Sequence, residues 1–196
     1  MRIIAGQFGG RVLYAPAGDH TRPTADRARE ALFSILGARV QGARVLDIFA
    51  GSGAMALEAL SRGAERAVMI DSDSGAVAAI RRNTQALGVS ERVLLLGRDF
   101  HRALRDLTGQ RFSLVFADPP YAKAEYYPQV MGLLEGHALM EPGALLVAEH
   151  AKSVSIEPLE AFEISDRRRY GDTAFTILRY RGAEGTDEGV RDTGQL

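Results

Sequence analysis

The stretch LDIFAGSGAMA, residues 46–56, joins a strand to a helix through two glycines. Ala43 to Phe49 is a short apolar run, and Ala54 to Leu60 carries apolar residues at helical spacing. Between them, Gly51 and Gly53 lack side chains. The backbone there can approach a ligand closely, with the N-terminus of the next helix facing it. Gly51-x-Gly53-x-x-Ala56 meets the loose dinucleotide fingerprint, and Asp71 lies 20 residues beyond Gly51, at the end of the next strand. An acid at that point accepts hydrogen bonds from ribose hydroxyls. A nicotinamide dinucleotide and a nucleoside cofactor fit these residues about equally. Asp47 leans away from the dinucleotide, because a carboxylate at the strand end repels a pyrophosphate but accepts hydrogen bonds from an ammonium group or water. S-adenosylmethionine carries an ammonium and no phosphate.

Strand and helix patterns alternate outward from this loop. Ala67–Ile70 reads as a strand, Ser74–Leu87 as a helix stopped by Gly88, Arg92–Leu96 as a strand and Phe100–Leu107 as a short helix. Phe112–Phe116, a helix over Tyr126–Leu134 and a strand over Ala144–Ala148 follow. Such alternation predicts an α/β fold with a doubly wound, mostly parallel sheet. Ala161–Asp166 and Thr173–Tyr180 flank a Tyr-Gly-Asp turn and predict a C-terminal antiparallel hairpin. Before residue 43 the pattern differs. Arg2–Ala5 and Arg11–Tyr14 surround Gly9-Gly10 and predict a β-hairpin, and Thr24 caps a helix that Gly37 ends. The expected organisation is an N-terminal hairpin-helix extension over 1–38, a Rossmann-like domain over 39–181, and a Gly-rich, disordered tail over 182–196.

With 196 residues and a net charge of −1, the chain is one ordinary domain and no polycation, so nucleic-acid binding would need a local patch. The absence of cysteine excludes disulfides, thiolate metal sites and a cysteine nucleophile. The four histidines are scattered without metal spacing. No apolar run nears the ~18 residues of a membrane span, and a soluble, cytoplasmic, monomeric protein is expected.

The strand Phe112–Phe116 ends in Ala117-Asp118-Pro119-Pro120-Tyr121. Two prolines forbid its continuation and hold a rigid turn. Asp118 and the carbonyls around Pro119 can accept the N–H groups of an exocyclic amine on a base. Holding those hydrogens aims a poorly nucleophilic lone pair at a sulfonium methyl, and Tyr121 can stack on the base face.

The stretches LDIFAGSGAMALEALSRGA and DPPY resemble the Rossmann-type S-adenosylmethionine-dependent methyltransferases that modify exocyclic amino groups. The segment MRIIAGQFGGRVLYAPAGDHTRPTADRAREALFSIL and the ending RRRYGDTAFTILRY are similar to the RsmD family of bacterial 16S rRNA (guanine-N2)-methyltransferases, over about residues 1–180. This resemblance implies a function and a set of roles. Asp47, Ala50, Gly51 and Gly53 line the methionine end of the cofactor. Asp71 and Ser72 hold its ribose, although the family often has Glu where Asp71 stands. Asp99 and Phe100 flank the adenine. Asp118, Pro119, Pro120 and Tyr121 form the catalytic turn, acting on a guanine of 16S rRNA within or before the small subunit. Arg2, Arg11, Arg22 and Arg27, with Arg29 beside them, then read as phosphate contacts, and Arg167–Arg169 as a second contact or an edge-strand guard. Tyr126 and Tyr127 stand close enough in sequence to border the pocket. An adenine-N6 methyltransferase would use the same turn. A dinucleotide-dependent oxidoreductase has no use for it, and a non-catalytic RNA-binding protein would not need Asp118.

Overall fold

A computed structural model describes residues 1–15, 23–120 and 124–182. Arg22, Tyr121, the side chain of Thr24 and the tail from 183 lie outside the described residues.

Seven strands form one sheet: β1 Arg44–Ile48, β2 Arg66–Ile70, β3 Val93–Leu96, β4 Phe112–Ala117, β5 Met140–Ala151, β6 Phe162–Tyr170 and β7 Thr173–Tyr180. Their order is β3-β2-β1-β4-β5-β7-β6. All neighbours from β3 to β5 are parallel, and β7 runs antiparallel to both β5 and β6. The strand order reverses between β1 and β4, so the carboxyl ends of these two strands open the crevice where ligands bind in such sheets.

Among the described residues, five α-helices cover the sheet: α1 Pro23–Leu36, α2 Ala54–Ser61, α3 Ser74–Leu87, α4 Phe100–Asp106 and α5 Tyr126–Gly136. Leu32 and Phe33 of α1, Leu57 of α2 and Ile80 of α3 bury against one face together with Val45, Phe116 and Val147. Leu104 of α4 and Val130 and Leu134 of α5 bury against the other face, with Leu46, Val115 and Leu146. Both faces are covered, which explains why the parallel strands are near-continuous apolar runs.

Local punctuation sets the clearest boundaries. The Asp73 side chain accepts the Ala76 N–H at the start of α3, and Gly88 closes the helix in the left-handed region. α1 begins one residue before Thr24, with Pro23 at the position that least needs an N–H. β5 extends well beyond the expected Ala144–Ala148. Pro142 and Gly143 interrupt its pattern, and the shift of register between Phe112 and Leu114 absorbs them. β6 likewise runs on to Tyr170.

The expected N-terminal hairpin is present in short form: an antiparallel bridge, Arg2–Val12, with cross-strand hydrogen bonds from Ile3 to Arg11, from Gly10 to Ile3 and from Leu13 to Met1. Its backbone is also held from α2. Ile4 and Ala5 donate their N–H groups to the Glu58 carboxylate at 2.7 and 3.1 Å, and Phe8 donates to the Ser61 hydroxyl at 2.9 Å. Asn83 on α3 accepts the Tyr14 N–H and donates to the carbonyls of Tyr14 and Ser52. The segment is thereby fastened to the glycine loop itself. Arg29, expected among the phosphate contacts, is only 4% exposed. It donates to the Arg2 carbonyl and to Asp26, and its Nε lies 3.9 Å from Glu58. It anchors the N-terminal segment and is unavailable to phosphates.

Candidate active site

The glycine loop leaves β1 under strain. Phe49 sits at φ 66°, a conformation unusual for a bulky residue, and Gly51 and Gly53 follow at φ 54° and 79°. A Cβ on Gly53 would press on Met69 Sδ at 3.1 Å and Ile80 at 3.3 Å, so that glycine serves packing. A Cβ on Gly51 would meet nothing within 4 Å and would instead fill the space above the loop. The Gly51 N–H donates to Asp71 Oδ2 at 2.8 Å, and the Asp73 N–H donates to Asp71 Oδ1 at 2.9 Å. The acid at the end of β2 is thus locked at the rim of the loop, and each oxygen keeps a lone pair for a hydroxyl.

Asp47 lies under the loop, 4% exposed, and its Oδ2 accepts the Ala56 N–H at 3.1 Å. Burial pushes its carboxyl up to about 7. The Ala56 hydrogen bond opposes this, and the charges of Asp71 and Glu149 add to it. A cation placed here would be welcomed by the field of several carboxylates. The carboxylates of Asp47, Asp71 and Glu149 together make this part of the crevice electrostatically suited to a positively charged group.

Asp99 caps α4, accepting the His101 N–H at 3.0 Å, with its carboxylate exposed. The Phe100 ring is buried against Phe49 and Tyr126, with centroids 5.0 Å from each. Phe49 and Tyr126 stack nearly parallel, which places the Tyr126 ring beside the start of the glycine loop. Tyr127 is buried, and its hydroxyl donates to the Glu149 carbonyl.

The Asp118-Pro119-Pro120 turn follows β4 directly. Ala117 pairs with Ile48 across the switch point, and the Asp118 N–H donates to the Ile48 carbonyl at 3.5 Å. Asp118 is exposed, Pro119 buried and Pro120 exposed. The turn and the glycine loop thus meet on adjacent strand ends.

One acid at this edge escaped the sequence reading. Glu149 follows the last β4–β5 pair, Ala117–Ala148, just as Asp118 does. The only available signal was an acid just past a buried strand, and its relation to Asp118 depends on register.

Two basic surfaces flank the crevice. Arg2, Arg11 and Arg27 are exposed on the N-terminal side. On the far side a cleft of about 400 Å³ is lined by His150, Lys152 and Arg167–Arg169. Lys152 and Arg168 are paired with Asp172 and Asp166, and Arg169 has no ion pair among the described residues. His150 is held below its usual range by burial and by the charges of Arg167 and Arg169, although its bond to the Ala151 carbonyl works the other way. No three His, Asp or Glu side chains converge as a metal site among the described residues, and none of their helices is long and apolar enough to cross a membrane.

Fold and site together define a Rossmann-like methyltransferase. The family model described as Conserved hypothetical protein 95 matches residues 1–179, and the chain belongs to that family, the RsmD family. Ribosomal RNA small subunit methyltransferase D of Escherichia coli K12 is 35% identical over 189 residues, covering 96% of this chain and 93% of its own. The solved structure of yhhF from Escherichia coli superposes with a TM-score of 0.81 at 30% identity, over 93% of this chain and 99% of that one. The hypothetical protein TTHA0928 of Thermus thermophilus gives a TM-score of 0.76 at 33% identity, over 90% and 98%.

Proposed function

We propose that this protein methylates the exocyclic N2 amine of a specific guanine in 16S rRNA, as a cytoplasmic monomer acting on the small subunit or its assembly intermediates. The observation that carries the reading is the meeting of the Asp118-Pro119-Pro120 turn with the glycine loop at the β1/β4 switch point. The methyltransferase names of its relatives support it. S-adenosylmethionine is the methyl donor, and when bound it supplies an electrophilic methyl on a sulfonium.

Asp47 and the Ala50–Gly53 loop face the methionine end, Asp71 and Ser72 the ribose, and Asp99 and Phe100 the adenine. Asp118 accepts an N–H of the target amine and fixes its lone pair toward the methyl carbon. As the N–C bond forms, the C–S bond breaks and its electron pair stays on sulfur. The amine nitrogen becomes cationic, and its extra proton leaves to Asp118 or to water. Tyr121 covers the base. Residues 1–38 serve as an RNA-contacting extension, with Arg2, Arg11, Arg22 and Arg27 on phosphates, and Arg169 holds the strand on the other side of the crevice.

The reading is tested by radiolabelled methyl transfer from S-adenosylmethionine to 16S rRNA, small-subunit particles and duplex DNA, followed by nucleoside analysis. N2-methylguanosine is expected. N6-methyladenine would move the reaction to the other amine, and no transfer would overturn the assignment. Asp71→Ala should weaken cofactor binding roughly 10- to 100-fold by calorimetry, since it removes two ribose acceptors and frees the Gly51 loop.

A further inference from the structure

We propose that Glu149 reads the target base: its carboxylate accepts the N1–H of the guanine whose 2-amino group Asp118 holds. This assignment rests on the guanine-N2 reading and adds a specificity-determining residue to it.

The register places the two acids together. β4 and β5 pair in parallel through Phe116–Val147 and Ala117–Ala148, and each acid is the next residue along. Paired strands lie about 4.8 Å apart, so Asp118 and Glu149 start from neighbouring backbone positions. Strand alternation puts both on the side of Phe116 and Val147, which is also the side of Asp47, the partner of Phe116. The Tyr127 hydroxyl pins the Glu149 carbonyl and fixes the strand there.

The Glu149 carboxylate is half-buried, and it has no hydrogen bond or ion pair among the described residues. A half-buried carboxylate that no protein donor holds keeps its oxygens open to a ligand. Burial pushes Glu149 up to about 7 despite the pull of the Arg29 charge. Such a group is short of donors, and a bound base can provide one.

The chemistry of the edge is specific. Guanine presents N1–H beside its 2-amino group, two donors in a row. Two neighbouring carboxylates match this edge. Adenine presents an N1 lone pair beside its amine, and a carboxylate facing that lone pair is left unpaired and repelled. Asp118 alone would take either amine. Glu149 is what makes the site a guanine site.

The test uses full-length protein and small-subunit particles whose 16S rRNA carries, at the position labelled by the wild-type enzyme, either guanosine or 2-aminopurine. The analogue keeps the 2-amino group and replaces N1–H by a lone pair. Wild-type kcat/KM should favour guanosine about 30-fold or more. In Glu149→Gln the amide can turn its NH₂ toward the lone pair, and the preference should collapse to within roughly 3-fold. Glu149→Asp, which keeps the charge, should retain the preference at reduced turnover. Labelling of guanosine by wild type carries the functional reading on its own. A guanosine preference equal in wild type and Glu149→Gln overturns the role of Glu149. A purely architectural role through Arg29 would slow both substrates alike and leave that ratio unmoved.

Discussion

Asp118→Ala lowers the methyl-transfer rate roughly 10³-fold and leaves S-adenosylmethionine affinity within a few-fold of wild type. The size follows from what Asp118 supplies. It removes a charged acceptor aimed at the reacting amine, and the loss of such a preorganised contact raises the barrier by about 3–4 kcal/mol. The residues proposed for the cofactor stand on β1, β2 and the loop after β3, whereas Asp118 follows β4 and is exposed. Asp118→Asn keeps one acceptor oxygen and should fall less, by about 10-fold. Single-turnover methylation with calorimetric cofactor titration separates the two effects. Wild-type turnover in Asp118→Ala would remove the residue from the catalytic role.

Glu58→Ala should be among the most damaging changes to stability. The Glu58 side chain is fully buried, accepts the N–H groups of Ile4 and Ala5, bonds Arg62 Nε at 2.7 Å and stands beside Arg29. Its removal leaves the buried Arg29 guanidinium with Asp26 as its one remaining charged partner among the described residues, and the Arg29 Nε already has no hydrogen-bond partner. Removing one partner of a buried ion pair costs about 3–5 kcal/mol, which for a domain of this size corresponds to a Tm drop on the order of 10 °C. Glu58→Gln, which keeps one acceptor oxygen where the carboxylate offers a separate one to each of Ile4 and Ala5, should lose less. Thermal unfolding followed by circular dichroism measures both. An unchanged Tm in Glu58→Ala would show that the N-terminal segment is held by apolar contacts alone.

These residues also show where sequence reading reaches its limit. The α3 boundaries were legible because Asp73 and Gly88 act on their own helix. So were the glycine loop, Asp71 and the Asp118 turn, since spacing along one chain places them on neighbouring strand ends. The N-terminal hairpin was legible in its two β-prone runs but its anchorage was not, because the N–H groups of Ile4, Ala5 and Phe8 go to Glu58 and Ser61, more than 50 residues away. Arg29 sits in a run of basic residues, and only the tertiary position of Glu58 draws it inside. β5 was read short because Pro142 and Gly143 interrupt an otherwise continuous pattern, and a bulge accommodates them. Glu149 was passed over because its meaning lies in a register between two strands, which no local pattern encodes.

The order β5-β7-β6 has a consequence for a chain made from its N-terminus. β6 is synthesised before the strand that must separate it from β5. Until Thr173–Tyr180 has emerged, the 12-residue β5 keeps one bare edge, and β6 has no neighbour to join. Closure of the sheet is therefore deferred to the last described strand. A premature stop shortly after Tyr170 would yield more than a shortened enzyme. It would leave an apolar strand edge open to recruitment by other unfinished chains.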